Sequence, residues 1–67
     1  MDLSMIKVLK ELRIQRGLTQ VEVYQQTGIH VGRIEAGATN VRIETLAGLC
    51  TFYRITLSEF FKRAERG

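Results

Sequence analysis

The sequence predicts an all-α fold, a compact bundle of five short helices, from three observations. Apolar residues recur at three- and four-residue spacings, which is typical of helices that bury one face. Gly17 and Gly37 each follow such a run, and glycine ends a helix readily because it adopts the left-handed conformation. Two Thr-x-x-Glu motifs, Thr19 to Glu22 and Thr56 to Glu59, form capping boxes that begin the helices after them.

The first predicted helix runs from about Ser4 to Arg16, and either Asp2 or Ser4 can cap its start. Gly17 ends this helix, and Leu18 anchors the corner that follows. Because the next helix begins at once, the corner is expected to be sharp. The apolar face of the first helix consists of residues three apart, namely Ile6, Leu9 and Leu12.

The second and third predicted helices are short. The second begins at its cap, Thr19, and ends near Gln26 or Thr27. The third lies within residues 28–36 and ends at Gly37, which is again a C-terminal glycine signal. The residues of these two helices that are expected to face the core are Val23, Val31 and Ile34.

A loop over residues 38–41 precedes the fourth predicted helix, which runs from Ile43 to about Tyr53. The fifth runs from Leu57 to about Arg66, and its last turns carry cations that suit the negative end of the helix dipole. These cations are Lys62, Arg63 and Arg66. The inward face of the fourth helix is expected to contain Ile43, Leu46, Leu49, Cys50 and Tyr53.

Length and composition indicate one small packed domain over residues 1–67. The apolar content of 45% favours a packed globule, and a chain of this size has room for one core. A net charge of +3 favours polyanionic partners only weakly, because the cations are spread along the whole chain. The single cysteine, Cys50, excludes an intrachain disulfide and is expected to be a buried thiol.

No catalytic chemistry is indicated by the sequence. It lacks paired carboxylates, a Cys/His or Ser/His/Asp arrangement and a phosphate-binding loop, so we do not expect an enzyme. His30 is a lone histidine without a partner at metal-ligand spacing; neither a metal, a cofactor nor a small-molecule ligand is expected. The sequence contains no signal peptide and no membrane-length apolar run, which predicts a cytoplasmic protein without a membrane partner.

Short motifs follow one another along the chain: Leu12-Arg13, Arg16-Gly17-Leu18-Thr19-Gln20, Arg33-Ile34-Glu35-Ala36-Gly37, Asn40, Glu44-Thr45-Leu46 and Leu57-Ser58-Glu59-Phe60-Phe61. In their order and spacing they resemble the phage-repressor-like helix-turn-helix domains of the Cro/CI or XRE type. The resemblance spans about residues 6–61. It implies a lambda-repressor-like DNA-binding domain, in which helix three lies in the major groove and helix two crosses the phosphate backbone.

The resemblance also implies roles for individual residues. Gln20, at the start of helix two, is expected to contact a phosphate, aided by its backbone N–H. Arg33 either reads guanine O6 and N7, contacts a phosphate, or lies on a solvated face. Asn40 grips the DNA backbone, orders its loop by an Asx-type turn, or does both. Glu35 pairs with Arg13 and thereby orients helix three against helix one. The residues expected to contact DNA are Gln20, Thr27, Gly28, Ile29, His30, Arg33, Thr39, Asn40 and Arg42.

The interval before the Arg33 motif is shorter than in similar domains by roughly three residues, which is close to one helical turn. Two alignments of this segment follow. In the preferred one, Thr27 caps helix three, because this keeps the inward pair of helix three buried and Glu35 beside its arginine. In the other, Gly28 is the turn glycine and His30 is the first residue of helix three.

Other residues also depart from the family pattern. Tyr24 stands where similar domains have a small alanine, and it fits only if the helix crossing widens or the ring rotates outward. Gly28 and Gly32 indicate either a close approach of the helix backbone to DNA or simple tolerance of glycine. Arg42 replaces the small capping residue of helix four, so a cap is lost and a cation near the expected phosphate path is gained.

The fifth helix carries two adjacent aromatic residues, Phe60 and Phe61. Either both rings belong to the core, or one is exposed and binds a twofold partner. In a homodimer, the paired recognition helices would read half-sites one DNA turn apart, about 34 Å. The residues expected at such an interface are Tyr53, Ile55, Leu57, Phe60 and Phe61.

The predicted function is that of a sequence-specific, double-stranded DNA-binding transcriptional regulator that binds a palindromic operator as a homodimer. The alternative is a protein-interaction module, of the antitoxin or accessory-subunit type, that kept the fold but lost base readout. The short interval before helix three favours this alternative. The two hypotheses differ in the expected salt dependence of DNA binding.

Overall fold

Five helices follow one another in the computed structural model, which describes residues 1–66. They are α1 (Leu3–Gln15), α2 (Gln20–Thr27), α3 (Val31–Glu35), α4 (Ile43–Phe52) and α5 (Leu57–Arg66). No strand occurs in the described part of the chain. The predicted all-α fold is therefore confirmed, and the five predicted helices are all present.

All five helices contribute to one hydrophobic core, in which Tyr53 and Phe60 are the largest fully buried side chains. The inward faces predicted for α1 to α4 are largely confirmed. Ile6 is only half-buried, and the prediction for Ile43 is wrong because this side chain is 57% exposed. Ile43 begins α4 beyond the edge of the core, and Val41, two residues earlier, packs against the core. The core consists of Val8, Leu9, Leu12, Val23, Val31, Ile34, Leu46, Leu49, Cys50, Tyr53 and Phe60.

Side-chain caps begin several helices where the sequence predicts them. Asp2 caps α1 by accepting a hydrogen bond of 2.9 Å from the Met5 amide. At α2 the capping box is complete: the Glu22 amide donates to Thr19 Oγ1, and the Thr19 amide donates to the Glu22 carboxylate. This second bond lowers the pKa of Glu22. Arg42, at the start of α4, makes no side-chain cap bond, as expected from its side chain.

Schellman motifs end α1 and α3 at the predicted glycines. Gly17 and Gly37 have φ angles of +69° and +72°, in the left-handed region. After Gly17, the Leu18 amide donates to the Arg13 carbonyl oxygen at 3.2 Å, and this bond folds the chain back on α1. The result is the sharp corner that sets the direction of α2.

Helix α4 ends in the same hydrogen-bonding pattern, but with Arg54 in the left-handed position. The Arg54 amide donates to the Thr51 carbonyl oxygen, and the Ile55 amide donates to that of Cys50. Arg54 has a φ of +62° and is the only non-glycine residue between 1 and 66 with a positive φ. A left-handed conformation costs a residue with a Cβ atom about 1–2 kcal/mol, so α4 ends under local strain.

We expect Arg54→Gly to raise the free energy of unfolding by about 0.5–1 kcal/mol. Glycine relieves the left-handed strain, and the greater freedom of its unfolded chain offsets part of this gain. Urea titration monitored by circular dichroism measures the change. Arg54→Ala is the matched control, because it removes the charge but retains the Cβ atom, and it should give no comparable gain. Equal stabilisation by both variants would attribute the effect to charge.

Candidate nucleic-acid interface

The turn between α2 and α3 is built by Thr27, Gly28 and Ile29. Thr27 is the last residue of α2; its hydroxyl donates to the Val23 carbonyl oxygen at 2.7 Å and accepts from the Ile29 amide at 3.0 Å. Gly28, with a φ of +74°, ends α2. His30 is the N-cap of α3, and its side chain makes no cap bond. Local geometry thus places the start of α3 three residues after Gly28.

The preferred alignment, with Thr27 as the cap of helix three, is therefore wrong. Gly28 is the turn glycine, as in the other alignment, although His30 lies just before α3 instead of being its first residue. The physical reason is that glycine adopts a positive φ readily, which ends α2 at Gly28. The arguments for the rejected alignment do not distinguish the two, because Val31 and Ile34 are also buried in this one.

Two of the residues predicted to contact DNA, Thr27 and Ile29, use their side chains for contacts within this turn or with the core. Ile29 is half-buried and packs against the core, so only part of its side chain remains available to contact DNA. Thr27 is half-buried, and both hydrogen bonds of its hydroxyl are made inside the protein. In this short turn, Ile29 supplies the apolar contact with the core, and the Thr27 hydroxyl supplies a hydrogen-bond partner for the backbone groups of Val23 and Ile29.

An ion pair between Arg13 of α1 and Glu35 of α3 fixes the orientation of α3, as predicted. Arg13 Nε donates to Glu35 Oε2 at 2.8 Å, and Arg13 Nη2 donates to Oε1 at 2.9 Å. The side chains are only 11% and 5% exposed. Arg13 Nη1 also donates to the Leu18 carbonyl oxygen at 2.9 Å, and the bond to Glu35 raises the pKa of Arg13. The pair therefore links α1, the corner after α1, and α3.

Gln20 connects this ion pair to the outer surface of α3. Its Nε2 donates to Glu35 Oε1 at 3.1 Å, and its side chain lies across Gly32. A Cβ atom at position 32 would come within 3.0 Å of Gln20 Oε1. Glycine at this position therefore makes room for a side chain from α2, a reason that neither of the two sequence-based interpretations of Gly32 included.

Two open grooves meet at His30. The first lies between α3 and the loop before α4, and it brings together the predicted contact residues His30, Arg33, Thr39 and Asn40. The second lies between α2 and α3 and is lined by Gln20, Val21, Tyr24, His30, Val31 and Gly32. Within residues 1–66, no carboxylate lines either groove. The lining of this surface therefore contributes no negative charge that would repel a polyanion.

The remaining predicted contact residues lie at the margins of this surface. Gly28 is exposed in the turn before α3, and Arg42 is exposed at the start of α4, next to Val41 of the first groove. In the loop before α4, Thr39 Oγ1 donates to the Asn40 carbonyl oxygen at 3.3 Å. The Asn40 side chain is exposed.

Tyr24 belongs to the same surface, although it is not among the residues that the sequence predicts to contact DNA. Its ring is rotated outward and 44% exposed, which is one of the two ways in which it could be accommodated. The ring stacks on that of His30, with a centroid distance of 4.2 Å and an interplanar angle of 26°. The sequence feature that could have identified Tyr24 as a surface residue is its large ring, which stands where similar domains have a small alanine at a close helix crossing.

The predicted dimer surface is partly wrong. Tyr53 and Phe60 are buried inside the chain itself, so they cannot contact a partner. Burial raises the pKa of Tyr53 to about 12. Phe61 is 38% exposed, whereas Ile55 and Leu57 are half-buried against the core. Of the two adjacent rings of α5, the helix turns Phe60 inward and leaves Phe61 at the surface.

We expect Glu35→Ala to lower the free energy of unfolding by about 3 kcal/mol, because it leaves the Arg13 guanidinium buried without its partner. Thermal and urea unfolding measure this loss. Glu59→Ala is the control, since it breaks the exposed Glu59–Arg63 pair, 3.8 Å apart, and should cost less than about 1 kcal/mol. Similar losses in the two variants would contradict the assigned role of Glu35.

In comparisons with known proteins, the chain matches the model of one protein family. A family model described as helix-turn-helix, HTH_3, matches residues 9–60, which is most of the chain. The match begins in α1 and ends in α5, so it includes the ion pair and both grooves. Comparisons with curated proteins and with solved structures gave no match. In residues 1–66, no helix has both the length and the apolar character needed to span a membrane.

Proposed function

This chain belongs to the helix-turn-helix family of DNA-binding regulators, and we propose that it binds a palindromic operator as a homodimer, with α3 in the major groove. The observation that carries the proposal is the surface formed by the two grooves. It combines Gln20, Arg33 and Asn40 with His30 and has no carboxylate in its lining within the described residues. Such a surface can hydrogen-bond both phosphates and base edges.

In this proposal, α2 crosses the phosphate backbone. Gln20 is the first residue of α2, where unpaired backbone N–H groups and the positive end of the helix dipole favour an anion. The side chain of Gln20 is held in place by its Nε2, which donates to Glu35 Oε1 at 3.1 Å. On the other side of α3, Thr39, Asn40 and Arg42 contact the phosphates beside the same major groove.

Arg33 is the residue proposed to read a base. It is exposed on α3 and lines the first groove. A guanidinium at this position can donate two hydrogen bonds to guanine O6 and N7, a contact that discriminates against other bases by about 1–3 kcal/mol. A phosphate contact would instead strengthen binding to all sequences alike.

We expect Arg33→Ala to relax the preference at one base pair of each half-site, with about a 5- to 150-fold loss of affinity per half-site for the preferred sequence. The duplex is first obtained by selecting bound sites from random DNA, and a palindromic motif is expected. Arg66→Ala is the control, because it removes the same charge from the α1–α5 side of the molecule. A uniform weakening across all sequences would reassign Arg33 to a phosphate.

Salt dependence tests the proposal independently of sequence preference. A protein that neutralises several phosphates loses affinity linearly on a double-logarithmic plot, with a slope of about −0.9 for each phosphate. We therefore expect binding to fall by orders of magnitude between low and moderate salt. No enrichment of any site and no salt-dependent binding would contradict the proposed function.

One observation favours the second candidate, a protein-interaction module without base readout. Helix α3 has only five residues, and Gly32 contributes no side chain to its outer face. If the random-DNA selection gives no motif, this candidate becomes the better explanation. This candidate predicts that DNA binding is weak and nonspecific, and that Arg33→Ala and Arg66→Ala reduce its affinity by the same factor.

The proposed homodimer uses the exposed ring of Phe61 together with the half-buried side chains of Ile55 and Leu57. We expect light scattering at tens of micromolar to give the mass of a dimer, and Phe61→Glu to give that of a monomer, because a charge at a buried interface is costly. Ile14→Glu is the control, since Ile14 is also apolar and exposed, at 57%, but lies on α1. A monomeric wild-type protein would contradict the dimer and leave the DNA-binding proposal standing.

A further inference from the structure

The shortness of α3 limits what it can present to a partner. Its five residues span about 7.5 Å, at 1.5 Å per residue. Val31 and Ile34 are buried in the core, and Glu35 is paired with Arg13. Since Gly32 has no side chain, Arg33 is the one residue of α3 with an exposed polar side chain. A reading surface on this domain therefore has to include residues outside α3.

His30 is the nearest such residue, and its ring nitrogens are not used to cap α3. It stands at the N-cap position, but its side chain makes no cap bond there. The side chain lines both grooves, so it lies on the ridge that separates them. Arg33 lines the first of these grooves as well. His30 and Arg33 thus extend one continuous surface in the direction of α2.

Tyr24 restricts the orientation of the His30 ring. The two rings lie nearly parallel, with centroids 4.2 Å apart, so one face of the imidazole is covered. Tyr24 belongs to the last turn and a half of α2, which the complete capping box and Gly28 hold at both ends. Because α2 is fixed at both ends, the Tyr24 side chain can hold the ring of His30, which lies in the turn before α3.

We propose that Tyr24 is a positioning residue for DNA recognition: it holds the His30 imidazole on the reading surface, so that the pair supplies the contacts for which α3 is too short. The inference rests on the proposed function, since it concerns how the same surface reads DNA. Stacked aromatic pairs contribute enough to restrict a ring, and the loss of this restriction corresponds to a roughly 2- to 10-fold change in affinity.

The experiment compares binding of wild type, Tyr24→Ala, Tyr24→Phe, His30→Ala and the double variant Tyr24→Ala/His30→Ala. Each is titrated against the duplex selected by the wild-type protein and against a panel in which every base pair is replaced in turn. We expect Tyr24→Phe to match wild type, because it retains the stack. Tyr24→Ala and His30→Ala should lose preference at the same base pair, and the double variant should bind no more weakly than His30→Ala.

Gln25→Ala is the matched control, because Gln25 is an exposed residue of α2 next to Tyr24 in the chain, but it lines neither groove. It should leave both affinity and base preference unchanged. Thermal unfolding of each variant checks that the fold is retained, which is expected because Tyr24 and His30 are both exposed. A purely structural role would change affinity for all sequences alike and would not act at one base pair.

Three results would overturn the inference: additive losses in the double variant, an unchanged base preference in Tyr24→Ala, or a loss in Tyr24→Phe as large as that in Tyr24→Ala. The last result would mean that the hydroxyl contacts DNA itself. Each of these leaves wild-type DNA binding intact, so they differ from failure of the proposed function. If the wild-type protein binds no duplex in a salt-dependent way, both the function and the inference are overturned.

Discussion

The Arg13–Glu35 ion pair is the interaction on which the rest of the structure depends. A helix of five residues is too short to be stable alone, because the cost of its first turn is recovered only by propagation or by packing. The buried side chains of Val31 and Ile34 hold α3 against the core. Two apolar contacts alone still allow α3 to rotate about the line that joins them. The two parallel hydrogen bonds of the pair, at 2.8 and 2.9 Å, remove this freedom.

The same pair reaches the outer surface through Gln20. Glu35 Oε1 accepts from Arg13 and from Gln20, so one carboxylate holds a helix on one side and a surface amide on the other. Gly32 completes this arrangement by leaving space for the Gln20 side chain. Stability and the shape of the candidate interface are therefore coupled, and a change at Glu35 alters both at once.

Those parts of the fold that depend on local backbone chemistry could be predicted from the sequence, including the turn at Gly17 and the capping box of α2. The start of α3 could not, because Thr27 is a good capping residue and only the φ of Gly28 decides against it. Which ring of α5 is buried was equally undetermined. Phe60 and Phe61 both lie one turn from Leu57, and the choice depends on the direction from which α1 covers α5.

In the proposed complex, the short α3 also limits how much specificity direct readout can supply. One bidentate arginine contact discriminates by about 1–3 kcal/mol, whereas specific binding exceeds nonspecific binding by about 4–10 kcal/mol. With Arg33 counted from both protomers of a dimer, the two contacts supply about 2–6 kcal/mol, which covers at most the lower part of that range. The remainder has to come from a second reading group, from half-site spacing or from DNA shape. Beside Arg33, this surface presents Gln20, Thr39, Asn40 and His30, and the His30 ring stacks on Tyr24. The orientation of that ring is therefore as important for readout as its chemistry.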